Sequence, residues 1–428
     1  MNCMFMRCCV CIVCFFSTAF LQARDYSFRN GITREVLDNY LDRAVTLTEF
    51  LTVNPFCNDD RATDKKDEIR MLKDLKVKFV GRAIYRWGGE HYLADTAFLA
   101  SARRLVKAMH AWDPDMIFQA AVFEIVTTEV NTLDVPAWTF RAFGLPPESR
   151  KFRYEDMLNQ DGVFVDHWGK GRSVPDISRG ETQLWLMFLA GTYIGIGCEA
   201  IHWGQVSLMG MNDPRFRHWT GFMEKMREYA GLHAPRGWVL FDAHTPSGGM
   251  VTDGQSLLDF NSFPLRIKEI PGKPMEGKLE MAYLDALYGR SKGCFSPSGW
   301  KCESLPYLVE FDNFGISSRP GTADVFSHFI WGYDEISWFC LQDETYRDKW
   351  LRYAYLWLRE HDPVAHLQMP LARIVTPGGG KRAFRFLGNN RSDACPQGMN
   401  VEETVSDIWY GNNTGKKCSF RSVVLPAG

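Results

Sequence analysis

Acidic side chains recur along this sequence just after apolar runs, where strands are expected to end. The candidate carboxylates are Glu49, Glu124, Glu129, Glu199, Asp242, Glu310, Asp312, Asp334 and Glu335. An ionised carboxylate at the edge of an apolar core is costly unless it is paired, hydrogen-bonded or solvated in a cleft. Any one of them is most simply a solvated residue or the partner of an arginine such as Arg82 or Arg86. Several acids converging on one cleft favour acid–base chemistry or cation binding.

The stretch 195–205 (GIGCEAIHWGQ) gathers polar and aromatic groups directly behind an apolar run. The apolar residues 184–196 predict a buried strand, the fourth of the chain. Glu199, His202 and Gln205 follow it. Residues 212–214 (NDP) then predict a helix start, with Asp as the N-cap and Pro at the first helical position. This order of strand, polar loop and helix is typical of a β/α unit that presents a functional site.

Two carboxyl groups that face each other across a cleft can hydrolyse a glycosidic bond. One protonates the leaving oxygen, and the other attacks the sugar carbon at a separation of about 5–5.5 Å or activates water at about 6.5–9.5 Å. Tryptophans near the predicted strand ends, including Trp138, suit sugar faces, although each alone is more simply explained by packing. The predicted substrate-binding residues are Trp87, Glu124, His202, Trp203, Gln205, Asp242, His244, Glu310, Asp312, Asn313, Trp331 and Asp334.

The elements that must position these residues alternate along the chain. Predicted strands cover residues 44–52, 77–87, 116–125, 184–196, 237–244, 305–313, 326–336 and 365–375. Predicted helices cover residues 34–43, 64–76, 94–111, 213–230, 343–361 and 401–409. Alternation of this kind implies a parallel sheet. The predicted fold is α/β, a (β/α)8 TIM-type barrel with long loops at the carboxyl ends of its strands. A doubly wound open sheet is the alternative, but no Gly-rich phosphate-binding sequence is present.

Two long connections interrupt this alternation, at residues 131–178 and 245–304. Connections of this length are uncommon unless they are functional. The first is predicted to form a lid or wall over the site, and a simple surface insertion is the alternative. The predicted organisation is a signal peptide at 1–23, a catalytic barrel at 24–376, and a segment at 377–428 that completes the barrel or packs on it.

Composition bounds the class of protein. The chain has 428 residues, a formal net charge of -2 and 46% hydrophobic residues, which is typical of one large globular domain or two ordinary ones. No dense Lys/Arg stripe is present, so no nucleic-acid partner is expected. Arg7, the apolar residues 8–21 and Ala23 together predict a secretory signal and hence a secreted or periplasmic protein. The apolar run is short for a membrane span of about 20 residues, so no integral membrane segment is expected after signal removal.

Twelve cysteines are present, five of them in the predicted signal. In an oxidising compartment Cys294 with Cys302, and Cys395 with Cys418, are candidate pairs. Cys57, Cys198 and Cys340 remain, of which Cys198 and Cys340 stand in apolar runs and are predicted to be buried thiols. The mature chain has no zinc-type spacing of Cys and His, and neither a metal nor a cofactor is expected. Residues 310–313 (EFDN) offer oxygens for Ca²⁺ as an alternative use.

Glu199 after the fourth predicted strand and Glu335 at the end of the seventh resemble the catalytic pair of a large clan of retaining (β/α)8 glycoside hydrolases. In that clan the acid and the nucleophile lie on strands four and seven. The resemblance covers roughly residues 40–376. It implies that Glu199 is the acid/base and Glu335 the nucleophile in the hydrolysis of a poly- or oligosaccharide. The chain also resembles uncharacterised secreted Bacteroides-type proteins with barrels of this kind.

Two alternatives stay open at this point. Within the same fold, Asp242, Glu310 or Asp312 can serve as the catalytic acids instead. Alternatively, the protein is a non-catalytic carbohydrate-binding barrel of the cell surface, because fold alone does not separate an enzyme from a binding protein. Nucleophilic serine chemistry is disfavoured, since no GxSxG sequence is present.

Overall fold

The structure is a computed structural model that describes residues 24–52 and 65–411. The predicted signal segment, Cys57 and Cys418 lie outside these described residues. Among the described residues, no helix has both the length and the apolar character that a membrane crossing requires.

Helices and strands alternate through most of the chain. The helices are α1 (Arg34–Leu41), α2 (Lys65–Asp74), α3 (Thr96–Trp112), α4 (Ala137–Ala142), α5 (Gly180–Ile196), α6 (Val206–Met209), α7 (Arg217–His233), α8 (Glu335–Leu341), α9 (Glu344–His361) and α10 (Val401–Tyr410). The main strands are β1 (Ala44–Leu47), β2 (Phe79–Tyr85), β3 (Ile117–Ala121), β4 (Ala200–His202), β5 (Leu240–Asp242), β6 (Asn261–Pro264), β7 (Tyr307–Glu310), β8 (Ala365–Leu367), β9 (Met369–Val375) and β10 (Phe384–Leu387). Two-residue strands form additional small sheets in the loops.

The main strands form two sheets. The larger has the order β10-β9-β1-β2-β3-β4-β5, in which all neighbours are parallel except the antiparallel pair β9 and β10. The smaller has the parallel order β6-β7-β8. The predicted α/β class with a parallel sheet is therefore confirmed.

Two features link these sheets. A parallel bridge joins His244, just after β5, to Ser262 in β6, and the Ser262 N–H donates to the Ala243 carbonyl at 3.0 Å. At the other side, only Gln368 separates β8 from β9, and its N–H donates to the Val309 carbonyl of β7 at 2.9 Å. Backbone pairing therefore joins β5 to β6, and the chain itself runs directly from β8 in the smaller sheet into β9 in the larger.

The core runs through the strands themselves. Every residue of β1, β2, β3, β4 and β5 is buried. Strands buried on both faces read as continuous apolar runs, which is typical of parallel sheets covered by helices. This explains why the runs at 44–52, 77–87 and 116–125 predicted strands at the right places.

The predicted fourth strand is wrong, because residues 184–196 belong to the helix α5. Apolar residues cover this helix all round, so it lacks the periodicity that marks a helix with one exposed face. It ends at Gly197, whose φ of +107° is left-handed and whose added Cβ would lie 2.7 Å from a Val106 methyl group. The true strand, β4, is only three residues long and follows Glu199.

Three further boundaries differ from the predictions. The strand β6 lies within the predicted long connection 245–304. The predicted seventh strand, 326–336, is a loop followed by the start of α8. Helix α7 begins at Arg217 rather than at residue 213, although the Asp213 carboxylate does accept a hydrogen bond from the Trp219 N–H at 2.9 Å.

Residues 377–411 pack on the larger sheet. The strand β10 extends it beyond β9, and α10 lies against α9, where Arg352 pairs with Asp407 at 2.8 Å. The connection 131–178 contains α4 and returns through residues 172–173, which pair with residues 126–127. It thereby brings Trp168 back over the carboxyl ends of the strands.

Candidate functional site

A cleft of about 1140 Å³ lies at the carboxyl ends of the parallel strands. Its lining comes from β2, β6 and β9 and from the loops that follow β3, β4, β5 and β7. Loops at this end of a parallel sheet are where sites form in α/β folds.

Aromatic side chains form one wall of the cleft. Tyr85 and Trp87 each contact Phe123 edge-to-face, with ring centroids 5.2 and 5.3 Å apart, and Trp168 contacts Trp87 at 5.0 Å. The Trp168 indole N–H donates to the Glu124 carbonyl at 2.9 Å. The wall is therefore a connected and anchored surface that suits the apolar face of a flat ring.

Arg82 sits in a distortion of β2. Its φ of +55° is left-handed, and the pairing of β2 with β3 shifts register between Val80 and Ile84. The Gln119 side chain accepts a hydrogen bond from the Arg82 N–H at 3.0 Å. Left-handed backbone at a non-glycine residue persists only where its surroundings hold it. This distortion places Arg82 at the floor of the cleft, among its lining residues.

The Arg82 guanidinium binds both oxygens of Glu310, the last residue of β7, with its Nε 2.9 Å from Oε2. His244 Nε2 lies 3.0 Å from Glu310 Oε1, and Arg373 Nη2 lies 3.5 Å from Oε2. Burial by itself would raise the pKa of Glu310, but Arg82 and Arg373 hold it well below its usual range. Glu310 is therefore ionised at neutral pH.

Asp312 lies two residues beyond Glu310 and lines the cleft. Its Oδ1 lies 2.5 Å from Arg373 Nη2. Burial acts to raise the pKa of Asp312, and Arg373 more than offsets it, so the net shift is downward. Because Arg82 and Arg373 neutralise both carboxylates, residues 310–313 face positive charge, which disfavours the Ca²⁺ alternative.

A second buried network lies under the cleft. His202 Nδ1 is 2.7 Å from Asp242 Oδ2, and the Gln119 amide donates to Asp242 Oδ1 at 2.6 Å. Burial raises the pKa of Asp242 to about 7 and lowers the pKa of His202 well below its usual value. His202 is therefore neutral at pH 7. Its ring lies 4.9 Å from that of His244, which connects this network to Glu310.

Glu124 lines the cleft and accepts two hydrogen bonds from Gln205, at 2.8 Å from the backbone N–H and 2.8 Å from the side-chain amide. Gly204 makes this approach possible. Its φ is +62°, and an added Cβ would lie 2.3 Å from Glu124 Oε2. Within the described ranges, no Lys, Arg or His side chain forms an ion pair with Glu124. Its electrostatic setting therefore differs from that of Glu310.

Most of the predicted substrate-binding residues meet at this cleft. Those that line it are Trp87, Glu124, Gln205, His244, Asp312 and Asn313. Three more lie directly beneath, in contact with lining residues or with one another: His202, Asp242 and Glu310.

Glu199 lies at the other end of its strand, which corrects its predicted position. It immediately precedes β4, and its N–H donates to the Phe118 carbonyl. Its carboxylate pairs with Arg236 at 2.9 Å and approaches His110 at 3.9 Å. The error follows from assigning α5 as the strand, since Glu199 then stood after the strand instead of before it.

Glu335 is the first residue of α8 and does not line the cleft. Its carboxylate accepts backbone N–H bonds from Leu265 at 3.1 Å, Arg266 at 2.6 Å and Asp312 at 3.1 Å. Arg266 has a left-handed φ of +55° and lines the cleft. Burial raises the pKa of Glu335 to about 8. Glu335 therefore supports the strained turn at Arg266 rather than facing the cleft.

Asp334 and three tryptophans also lie outside the cleft. Asp334 caps α8 by accepting the Ser337 N–H at 2.9 Å. Trp203 is fully buried in an aromatic cluster, Trp138 packs on Tyr229, and the Trp331 indole donates to the Glu276 carbonyl. Helix capping explains Asp334, and packing explains the three tryptophans.

Sequence reasoning missed most of the cationic lining. The sequence pattern predicts Arg82 only as a partner for a carboxylate and gives no role to Arg266 or Arg373. Arg82 and Arg373 stand inside the apolar runs FVGRAIY and MPLARIV. A charged residue inside a buried strand is rarely tolerated without a partner, so this pattern was the available signal. For Arg266 the sequence gives no comparable signal.

Comparison with known proteins finds no family model and no curated protein that matches this sequence. Function is therefore inferred from the geometry of the cleft.

Proposed function

We infer that the parallel strands form one (β/α)8 barrel. The order β1-β2-β3-β4-β5 continues to β6 through the His244–Ser262 bridge, then through β7 to β8. β8 pairs with β7 and β9 pairs with β1, and only one residue separates β8 from β9. Counting β8 and β9 as one strand gives eight parallel strands, which is the number of this fold. In this arrangement the cleft is the mouth of the barrel.

We propose that the protein is a glycoside hydrolase and that the reaction takes place in this cleft. The observation that supports the proposal is the presence of two carboxyl side chains in contrasting settings beside an aromatic wall. Glu310 is held ionised by two guanidinium groups. Glu124 has only the neutral donors of Gln205 within the part of the chain that is described. Two carboxyl groups with different environments are what acid–base hydrolysis of a glycoside requires.

In the proposed reaction Glu124 gives a proton to the leaving oxygen as the bond to the sugar carbon breaks. Glu310, which is ionised at the start, has two possible roles. It attacks that carbon and forms an ester, which water then hydrolyses while Glu124 takes a proton from the water, or it takes a proton from a water that attacks the carbon directly. Arg82, Arg373 and His244 fix Glu310 from three different strands or strand ends, so little reorganisation is needed in the transition state. The aromatic wall holds the sugar ring and excludes water from one side.

The layout also bears on the resemblance to the clan with catalytic residues on strands four and seven. In the proposed barrel β7 is strand seven, and Glu310 is its last residue, as the resemblance requires of the nucleophile. Strand four ends at His202 and is followed by Gln205 instead of an acid. Since Gln205 binds Glu124, the carboxyl nearest to that position comes from the loop after β3. The acid/base role is therefore transferred from Glu199 to Glu124.

The test compares Glu124→Gln and Glu310→Gln with the control Glu199→Gln, assayed on a panel of soluble polysaccharides and aryl glycosides. General acid catalysis contributes about 10²–10⁴-fold, so Glu124→Gln should lose that much on natural glycans and much less on substrates with activated leaving groups. Glu310→Gln should lose activity on both substrate types. Glu199→Gln should keep its activity because Glu199 lies at the opposite end of β4. Full activity of Glu124→Gln would reject the assignment.

A non-catalytic carbohydrate-binding protein is the second candidate, and one observation favours it. Both oxygens of Glu310 and both oxygens of Glu124 already accept hydrogen bonds from protein groups. A protein that binds a glycan on the polysaccharide panel without hydrolysing any member, and whose affinity is unchanged by Glu310→Gln, would support this candidate.

A further inference from the structure

One aromatic side chain at the rim of the cleft has no role in the fold. Phe326 is 89% exposed, the highest value among the large hydrophobic residues that the structure describes. It precedes Ser327, His328 and Phe329, all of which line the cleft. Burying a side chain of this size is worth about 1.5–3 kcal/mol, yet the fold leaves it in solvent. A contiguous exposed apolar patch marks an interaction site, whereas a single exposed residue does not, so the neighbours of Phe326 decide its meaning.

The loop that presents Phe326 is anchored at several points. The Glu269 carboxylate accepts the backbone N–H groups of Asp324 at 2.8 Å and Trp331 at 2.7 Å. The Tyr283 hydroxyl donates to the Val325 carbonyl at 3.1 Å. Phe326 is therefore held in place next to the cleft, so a ligand that contacts it does not have to order the loop.

Apolar surface continues from this loop into the cleft. Phe314, which lines the cleft and is 37% exposed, contacts Phe329 with ring centroids 5.1 Å apart. Met281, on the neighbouring loop that Tyr283 ties to Val325, is 40% exposed. The cleft volume of about 1140 Å³ also exceeds the range of about 300–1,000 Å³ that is typical of small-ligand pockets. The site is therefore larger than one sugar ring needs.

We propose that Phe326 forms an aromatic platform for a sugar residue outside the cleft, so that the ligand is a long glycan chain. This inference rests on the proposed function, because it assumes that the cleft binds a sugar. A chain that occupies the cleft leaves it over the rim, and the apolar face of the next sugar can stack on the Phe326 ring. Short oligosaccharides that fill only the cleft do not reach Phe326.

The test compares Phe326→Ala with Leu232→Ala. Leu232 is 82% exposed and lies in the last turn of α7, at the amino-terminal end of β5, on the side of the strands away from the cleft. Neither change removes a buried contact, so both variants should unfold at the temperature of the unmodified protein. Affinity electrophoresis in β-glucan, xylan, mannan and pectin measures binding to long chains. Calorimetry with di- to tetrasaccharides of the retained polymer measures binding to short ones.

Phe326→Ala should bind the retained polysaccharide about 3–10-fold more weakly, which corresponds to the loss of one aromatic stacking contact. Its affinity for the short oligosaccharides should be unchanged, and Leu232→Ala should behave like the unmodified protein. Equal losses on long and short ligands would overturn the inference, as would no loss on the polysaccharide. Conversion of a dimer to a monomer by Phe326→Ala, without loss of glycan affinity, would instead assign the platform to contact between two copies of the chain.

Hydrolysis and binding are measured separately, so either proposal can be rejected while the other stands. If the unmodified protein binds a polysaccharide without cleaving it and Phe326→Ala weakens that binding, the platform stands and the hydrolase assignment fails. If the protein cleaves the polysaccharide and Phe326→Ala leaves both its affinity and its rate unchanged, the hydrolase assignment stands and the platform is rejected. Absence of binding to all four polysaccharides rejects the platform.

Discussion

Replacing Arg82 by Met tests whether the buried pair beneath the cleft is organised as described. Arg82 and Glu310 each have side chains only 3% exposed, and the guanidinium covers both carboxylate oxygens. Arg82→Met keeps an unbranched apolar stem but leaves the Glu310 charge without its main partner. Removing one member of a buried pair costs about 3–5 kcal/mol. Because Arg373 remains 3.5 Å from Glu310, we expect a loss near the lower end, about 3 kcal/mol at pH 7.

The pH dependence of the free energy of unfolding gives a sharper test. In the unmodified protein the pKa of Glu310 lies well below its usual value of 4.5. Its contribution to stability is therefore fully present above pH 4.5 and is lost as the pH falls through the lowered pKa. In Arg82→Met, burial dominates and raises the pKa of Glu310. The deficit of the variant should then grow as the pH rises above 4.5 and shrink as Glu310 becomes protonated.

Urea unfolding at several pH values between 4.5 and 7, followed by tryptophan fluorescence, measures both quantities. The matched control is Arg34→Met, since Arg34 pairs with Asp38 four residues later and both side chains are 33% exposed. An exposed helical pair of this kind is worth about 0.3–0.5 kcal/mol. The double variant Arg82→Met/Glu310→Gln should recover most of the loss. A deficit below about 1 kcal/mol, or one that is constant with pH, would refute the description of the pair.

Three further predictions concern other parts of the chain. Gly204→Ala should destabilise the protein by about 1–2 kcal/mol from its left-handed backbone alone, and it should reduce activity. The control Gly231→Ala, inside a helix with open space around it, should stabilise the protein by up to about 1 kcal/mol. Urea unfolding and glycan assays measure both variants, and unchanged stability and activity of Gly204→Ala would contradict the close contact between Gly204 and Glu124. Cys294 and Cys302, paired across a hairpin with sulfurs 3.9 Å apart, should form a disulfide in exported protein; two free thiols in non-reducing peptide mapping would count against it. Residues 1–23 should be missing from the exported protein, and N-terminal sequencing that begins at Met1 would disprove this.

The sequence alone determined the class of the fold and most of its elements. Runs such as 77–87 and 365–375 are mostly apolar on both faces, as is typical of a parallel strand that is covered on both sides. The helices predicted at 34–43, 64–76 and 343–361 lie close to their observed bounds. These features are local, so no knowledge of distant parts of the chain was needed. The sequence also supplied six of the residues that line the cleft, because they follow strands.

The tertiary structure decided what local patterns leave open. A helix buried on all sides has no polar face, so α5 could not be distinguished from a strand by periodicity. That one assignment moved Glu199 from the beginning of its strand to the end, and so predicted it at a cleft that it does not line. The pairing of Arg82 with Glu310 joins positions 228 residues apart, and neither residue specifies the other in sequence. Which carboxylate is ionised, and which merely holds a turn, depends on such distant partners, because charge and burial act through space and not along the chain.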